Sequence, residues 1–267
     1  MLMQDFAGKY ILVTRAADQF AAVAEQIQKR GGTAISFPCL AVQCLPDNIR
    51  RALNGLSEET CILLTSANGV HCVAKALGDD VAMRLGKHPV VAIGPRTAAA
   101  LIAYDVTPAW VADEASQEGV VHGFARCSMP KEICFLRAEQ GRDVVRQALQ
   151  AAGVQVRLVS AYRTVCPTDD ASAVVNQLKI GAIDGVLLGS SRCAEHYVQR
   201  IGDLPLADRP PIAVISQQVA RAAEHAGLSV QCVAKETSFT GMLDALAEYF
   251  ADNAEKTNRT PLEEERP

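Results

Sequence analysis

The chain has 267 residues, of which 49% are hydrophobic and 21% charged, so it is long enough to bury one large core or two smaller ones. Its 30 acidic residues exceed its 26 lysines and arginines, and the net charge of −4 argues against a protein that binds nucleic acid through phosphate neutralisation. The longest apolar runs are strand-length and residues 1–9 lack the pattern of a signal peptide, so we expect a cytoplasmic protein with no membrane span.

Short β-branched runs alternate with helical stretches, which is typical of a parallel sheet with crossover helices. The predicted strands are 10–14, 34–37, 61–65, 90–93, 133–137, 154–159, 185–188, 212–215 and 230–233. The predicted helices are 18–30, 48–56, 68–77, 96–104, 117–124, 142–152, 171–179, 192–199, 217–225 and 240–250. Beyond these elements, residues 251–267 are polar and lack an apolar period, so we expect a disordered tail.

The cysteines and histidines give little sign of a metal or redox site. The nine cysteines are scattered without a Cys-x-x-Cys pair, and Cys61 and Cys134 stand within apolar runs. This pattern favours small buried hydrophobes in a reducing compartment. The sequence also lacks the Gly-x-Gly-x-x-Gly, Gly-x-x-x-x-Gly-Lys-Ser/Thr and Gly-x-Ser-x-Gly motifs, so dinucleotide, nucleoside triphosphate and hydrolase functions lose their usual support. We therefore expect neither a metal nor a cofactor.

An internal repeat changes the expected architecture. Three segments match three later ones at offsets of 122, 124 and 122 residues: 11–16 with 133–138, 63–70 with 187–194, and 90–101 with 212–223. Such a repeat predicts two related α/β lobes. The order of the matches leaves two arrangements open, because each lobe is either a continuous half or one lobe combines the first and last quarters of the chain. Segments 35–42 and 158–167 are extended and able to pair as a bridge.

Polar residues follow the predicted strands where the helices begin. Backbone N–H groups and hydroxyls at helix N-termini bind anions, and arginine adds bidentate pairing with carboxylates. The candidate ligand donors are Thr14, Arg15, Ser66, Asn68, Gly94, Arg96, Thr97, Arg137, Arg142, Ser190, Ser191, Arg192, Ser216 and Gln217. Ordinary helix capping is the alternative for each hydroxyl residue alone. Together they predict an extended, multivalent anionic ligand.

Tyr162 is the candidate proton donor, because it stands in the extended segment SAYRT and a phenol is able to act as a weak acid. The alternative for this side chain is simple packing in the bridge.

Six segments together resemble the uroporphyrinogen-III synthase family. They are ILVTR at 11–15, LLTSANGV at 63–70, VAIGPRTAAAL at 91–101, LRAEQGRDVVRQAL at 136–149, AYRT at 161–164 and TSFTGMLDAL at 237–246. The resemblance implies two flavodoxin-like lobes, each a doubly wound parallel sheet, joined by a two-stranded linker. It assigns 1–38 and 166–250 to the first lobe, 45–158 to the inserted second lobe, and 39–44 and 159–165 to the linker strands.

The resemblance also implies a reaction. Linear hydroxymethylbilane loses water to form an azafulvenium cation, the terminal ring D attacks through a spiro intermediate, and the ring closes to uroporphyrinogen III with ring D inverted. The enzyme is then a cofactor-independent lyase of haem and sirohaem biosynthesis, because the substrate supplies its own reactive cation and the protein mainly positions it.

By motif, Tyr162 matches the family tyrosine that assists departure of the hydroxyl. Ser66 and Ser190 match the serines of two loops, and Thr97 matches a threonine. The chain departs from the family at 215–220, which reads ISQQVA where many members have IGPTTA. Val219 therefore offers no side-chain donor.

The main alternative function is a non-catalytic, two-lobed cytosolic protein that binds a small polyanion, and a transferase is a weaker one. For the synthase we expect a monomer, since duplicated lobes build a cleft without self-association. We also expect transient contact with the upstream bilane-forming deaminase, and no nucleic-acid or membrane partner.

Overall fold

The computed structural model describes residues 4–16, 19–127 and 129–259. The described residues form two compact units. Unit 1 comprises those of Met1–Ala41 and Cys166–Pro267, and unit 2 comprises those of Val42–Val165.

The elements alternate between strand and helix along most of the chain. The strands are β1 (Tyr10–Val13), β2 (Thr33–Ser36), β3 (Ala41–Cys44), β4 (Cys61–Leu64), β5 (Val90–Ala92), β6 (Trp110–Val111), β7 (Glu132–Ala138), β8 (Gln155–Val165), β9 (Gly185–Leu188), β10 (Ile212–Val214) and β11 (Cys232–Val233). The helices are α1 (Phe20–Lys29), α2 (Pro46–Leu53), α3 (Ala67–Leu77), α4 (Val81–Leu85), α5 (Pro95–Ile102), α6 (Gln117–Arg126), α7 (Val144–Ala151), α8 (Ser172–Lys179), α9 (Ser191–Ile201), α10 (Leu204–Ala207), α11 (Gln217–His225) and α12 (Phe239–Arg259).

Unit 1 is a doubly wound parallel sheet in the order β2-β1-β9-β10-β11, the order of flavodoxin-like folds. Its central strands β1, β9 and β10 are buried on both faces. Leu12 packs in one core with residues of α8, α9 and α11, whereas its neighbours Ile11 and Val13 pack in a second core with α1 and α12. This alternation follows from the period of two in a strand, and it explains the continuous apolar runs.

Unit 2 repeats this topology in a different chain order. Its parallel strands lie in the order β8-β7-β4-β5-β6, and β3 adds a further strand beside β8. Thus β7, β4, β5 and β6 take the places that β1, β9, β10 and β11 hold in unit 1. The fold is therefore two flavodoxin-like units, with unit 2 inserted into unit 1.

Several predicted boundaries change in the structure. The segment expected as a separate linker strand, 159–165, is the second half of β8, and its pairing with β7 continues as far as Tyr162. The predicted first helix begins at residue 18, which lies outside the described residues, and α1 begins at Phe20. No sequence prediction covered β6, α4 or α10, because each has five residues or fewer and thus no measurable apolar period.

The predicted disorder of 251–267 is wrong for residues 251–259. These residues continue α12, since ADNAEKTNR contains neither glycine nor proline to end the helix. Residues 260–267 lie outside the described part of the chain. Within the described residues, no helix combines the length and apolarity that a membrane span requires.

The prediction that the cysteines are all reduced and hydrophobic is wrong for one pair, because Cys44 of β3 and Cys72 of α3 form a disulfide. The two positions are 28 residues apart, and only the packing of α3 beside β3 brings them together. Among the described thiols, those of Cys61 and Cys134 are buried, whereas that of Cys127 is exposed.

Candidate functional site: serine-capped strand ends and a buried tyrosine

Each unit presents serine-capped helix N-termini after its parallel strands. In unit 2 these serines accept the backbone N–H three residues ahead, at 3.0 Å for Ser66 and 2.9 Å for Ser116. In unit 1 Ser190, Ser216 and Ser238 make the same contact at 3.2, 3.5 and 2.9 Å. Each cap satisfies one N–H group, and the other N–H groups of a helix's first turn, together with the helix dipole, favour an anion.

Sequence analysis missed Ser116 and Ser238 as candidate donors. A signal was present, because these residues are also 122 apart and each begins a Ser-x-x-Gly segment. The glycines are needed for close approach. A Cβ on Gly119 would lie 2.2 Å from the carbonyl oxygen of Glu114, and a Cβ on Gly241 would lie 2.4 Å from that of Glu236. The two turns are therefore one local structure, present in both halves of the duplication.

Tyr162 lies in β8 and is paired with Ala138 of β7. Only 8% of its surface is exposed, and its hydroxyl lies 2.9 Å from the hydroxyl of Ser66. Its backbone carbonyl accepts a hydrogen bond from the N–H of Glu139 at 2.8 Å. The backbone and the hydroxyl of Tyr162 are thus both held, and the phenol lies beside the N-terminus of α3.

The hydrogen bonds of Ser66 restrict how it interacts with Tyr162. The Ser66 oxygen accepts the N–H of Gly69, which leaves it one proton to donate and one lone pair. When Ser66 donates to the phenolic oxygen, the proton of Tyr162 is available to another acceptor. This arrangement suits a phenol that acts as a general acid.

Arg137 is buried among hydrogen-bond acceptors of its own loop. Its guanidinium donates to the carbonyl oxygens of Ala138, Gly141 and Arg142 at 3.0, 2.8 and 2.7 Å and pairs with Asp143 at 2.9 Å. Only 8% of the side chain is exposed. The assignment of Arg137 as a ligand donor stays a prediction, although these contacts already occupy most of its N–H groups. The residue organises the loop after β7, because its guanidinium binds three carbonyl oxygens of that turn.

Two predicted hydroxyl donors are also buried. Thr14 is 1% exposed and donates to the carbonyl oxygen of Leu187 at 2.7 Å, which ties β1 to β9. Thr97 is 3% exposed in the first turn of α5. Neither side chain is at the surface, so both assignments to ligand binding stay predictions that require these hydroxyls to become accessible. In the structure, both side chains pack within the strand and helix layers.

Arg15 is the counterpart of Arg137 in the duplication but is partly exposed. Its guanidinium lies 4.2 Å from the centre of the Phe239 ring, and its Nε donates to Gln19. A Cβ on Gly189 would lie 2.8 Å from Cζ of the same ring, so the ring is closely packed. A guanidinium held against an aromatic ring is still able to pair with a carboxylate through its terminal nitrogens.

The remaining predicted donors lie at the same strand ends. Asn68, Arg96 and Gln217 are exposed, Ser191 and Arg192 are half-buried, and Gly94 is buried. A Cβ on Gly94 would lie 2.7 Å from that of Ala115, so the loops after β5 and β6 are in contact.

The loops after β6 and β7 are also joined by hydrogen bonds. Gln117 donates to the carbonyl of Arg142 at 2.9 Å and accepts from the N–H of Val145 at 3.2 Å. The exposed Arg142 forms a two-pronged pair with Glu118 at 2.7 and 3.2 Å, and this hydrogen bonding lowers the pKa of the Glu118 carboxyl. Arg142 must therefore exchange partners to hold a ligand carboxylate.

Two other features of the described chain do not add to this site. No group of three or more His, Cys, Asp or Glu side chains among the described residues is arranged to hold a metal ion. A groove of about 770 Å³ runs along α12 between Lys9 and Lys235, and its described lining includes none of the sequence-predicted donors.

The fold and these strand ends define an α/β protein of two duplicated units whose strand ends carry helix N-termini, hydroxyls and an arginine. The family model of uroporphyrinogen-III synthase HemD matches residues 21–244, and the chain belongs to this family.

Individual relatives agree with this assignment. The chain is 29% identical to the uroporphyrinogen-III synthase of Synechococcus elongatus over 213 residues, which are 74% of this chain and 77% of the relative. The crystal structure of uroporphyrinogen-III synthetase from Helicobacter pylori has a TM-score of 0.57 at 14% identity and covers 90% of this chain and 99% of that one, which supports the fold. A mutant uroporphyrinogen III synthase from Thermus thermophilus has a TM-score of 0.48 at 19% identity, over 92% of this chain and 99% of that one.

Proposed function

We propose that the protein cyclises hydroxymethylbilane to uroporphyrinogen III with loss of water and inversion of the terminal ring, which makes it a lyase. The observation that carries the proposal is the 2.9 Å contact between the hydroxyls of Tyr162 and Ser66, where α3 of unit 2 begins. Membership of the synthase family supports the reaction, and the contact supplies a residue-level reason for it.

Tyr162 is the general acid in this proposal. The departing hydroxyl of the bilane needs a proton to leave as water, and Tyr162 donates it. The phenolate that forms is stabilised by the Ser66 hydroxyl and by the positive end of the α3 dipole. The closing macrocycle releases a proton from its reacting carbon, and this proton restores the phenol.

The acetate and propionate groups of the bilane bind to the helix N-termini and to the guanidinium of Arg15. Arg137 is replaced in this role by the capped turns at Ser116 and Ser238, which the duplication places after β6 and β11. An acidic net charge is compatible with an anionic substrate because fields beyond about 8 Å are screened at physiological salt. Local donors therefore decide binding.

The reaction is tested with the purified full chain and freshly generated hydroxymethylbilane, without added metal or nucleotide. The products are oxidised and the isomers are separated by chromatography. We expect predominantly type III product, and a much lower yield from Tyr162→Phe. Type I product alone, as in a protein-free control, would overturn the proposal if Trp110 fluorescence shows that unit 2 is folded, and a non-catalytic polyanion-binding function would replace it.

Three further predictions belong to this proposal. The protein is a monomer, it acts in the cytoplasm, and it contacts the deaminase that produces the unstable bilane only transiently. Sedimentation of the protein alone and mixed with that deaminase tests the first and third predictions.

A further inference from the structure

The disulfide between Cys44 and Cys72 joins two elements that also hold Tyr162. Cys44 is the last residue of β3, Cys72 lies in the second turn of α3, and their Cα atoms are 5.2 Å apart. Ser66, whose hydroxyl contacts that of Tyr162, caps the amino end of the same helix. The helix that carries one half of the disulfide thus also carries the hydrogen-bond partner of the tyrosine.

Strand β3 reaches Tyr162 from the other side. Leu45 follows Cys44, and its N–H donates to the carbonyl of Ala161 at 2.9 Å. Ala161 directly precedes Tyr162 in β8. A closed path therefore runs from Tyr162 through Ser66 and α3 to the disulfide, and returns through β3 and Leu45 to β8.

The disulfide is a covalent link in a path otherwise made of hydrogen bonds and backbone. Strand β3 has four residues and lies at the margin of its sheet, with β8 on one side. A short marginal strand opens more readily than a central one. Without the disulfide, β3 and α3 lose the covalent link between them, and a shift of about 1 Å in a catalytic group costs up to about 100-fold in rate.

We propose that the Cys44–Cys72 disulfide positions Tyr162 for proton donation, so that turnover depends on the thiol state of this pair. The inference rests on the acid role proposed above for Tyr162. The two cysteines act as positioning residues, because they reach the reaction only through Ser66, α3 and β8.

The redox step is thiol–disulfide exchange. A low-molecular-weight disulfide such as oxidised glutathione takes two electrons and two protons from the Cys44 and Cys72 thiols, the protein S–S bond forms, and two reagent thiols are released. A dithiol reverses the exchange. Cys44 is half-buried and Cys72 is 1% exposed, so the attacking thiolate reaches the Cys44 sulfur and Cys72 departs as the thiolate, which is then protonated.

The test equilibrates the full chain with a series of reduced and oxidised glutathione ratios. The fraction of bonded Cys44 and Cys72 is measured by alkylation in denaturant and mass spectrometry, and type III formation gives kcat and KM. We expect kcat to fall about fivefold or more on reduction, while KM changes by less than about twofold. The midpoint of the change in kcat should coincide with the midpoint of the thiol titration. The kcat of Cys44→Ala should equal that of the reduced protein at every glutathione ratio. The kcat of Cys127→Ser, which removes an exposed thiol, should depend on the ratio as that of the wild type does.

Three results would overturn the inference: no Cys44–Cys72 bond at any ratio, equal kcat in both states, or a change confined to KM. Amide exchange of Leu45 and Gly69 provides a readout that does not need the reaction, and we expect faster exchange after reduction. If no type III product forms in either state, the proposed function fails. In that case, amide exchange of Leu45 and Gly69 that is the same before and after reduction would still show that the disulfide does not hold β3 and α3 in place.

Discussion

Replacement of Arg137 by methionine tests whether this arginine is structural. The change keeps much of the apolar stem but removes the donors to three loop carbonyls and to Asp143. We expect unit 2 to lose stability, whereas a ligand-binding arginine at a protein surface would change KM and leave folding unaffected.

The magnitude follows from the partners. A hydrogen bond from a charged donor contributes about 1.5–3 kcal/mol, but these contributions do not add in full. The ion pair with Asp143 contributes little to the free energy of unfolding, because 34% of that carboxylate side chain is exposed and solvent screens the charge. The loop carbonyls regain water in the variant, since residues 139–142 are exposed. We therefore expect a loss of about 3 kcal/mol in the free energy of unfolding.

The assay uses the single tryptophan of the chain. Trp110 lies in unit 2, where its ring packs edge-on against Phe124 at 5.0 Å, so its fluorescence follows the unfolding of that unit. At a urea dependence of about 2 kcal/mol per molar, a loss of about 3 kcal/mol moves the midpoint by about 1.5 M. Thermal unfolding should shift by about 10 °C.

Arg15→Met is the matched control, because the duplication makes Arg15 the counterpart of Arg137 in unit 1. It should leave the Trp110 transition unchanged and raise KM for the bilane several-fold. The reasoning is refuted if Arg137→Met moves the urea midpoint by less than about 0.2 M and raises KM instead.

Three other measurements test the site and the core. Tyr162→Phe should lower kcat at least about tenfold through loss of general acid catalysis and lower the Trp110 urea midpoint by no more than about 0.7 M, the loss of one hydrogen bond, so equal kcat would remove the acid role. Gly119→Ala should cost about 1–3 kcal/mol in the same unfolding assay, because its Cβ would lie 2.2 Å from the Glu114 carbonyl oxygen, and full stability would mean that this turn yields easily. Burial raises the pKa of the Cys61 and Cys134 thiols to about 12 from 9.0, so they stay neutral in the folded chain while the unfolded chain ionises above about pH 9. The free energy of unfolding should therefore fall as pH rises from about 9 to 12. Urea titrations at several pH values measure this dependence, and alanine at both positions should make it weaker. An equal pH dependence in the variant would mean that other groups cause it.

The positions of the strand ends follow from local chemistry that a sequence displays. Apolar runs of strand length, followed by Ser, Thr or Gly and a helical period, predicted most elements of both sheets. The offset of 122 residues predicted two related lobes, and the topology of the two sheets agrees with it. The boundaries failed where the signal was short, as at β6, or where a helix lacked a stop, as at the end of α12.

The sequence by itself determined the α/β class and the duplication, because these depend on residue type and spacing. Only the tertiary structure decided which of two equivalent arginines is buried, since Arg137 binds three carbonyls of its own loop whereas Arg15 lies against the Phe239 ring. It also decided that Tyr162 meets Ser66 and that Cys44 meets Cys72, residues far apart in the chain. Such contacts arise from packing between elements, and spacing along the chain does not encode the distance between side chains on different elements.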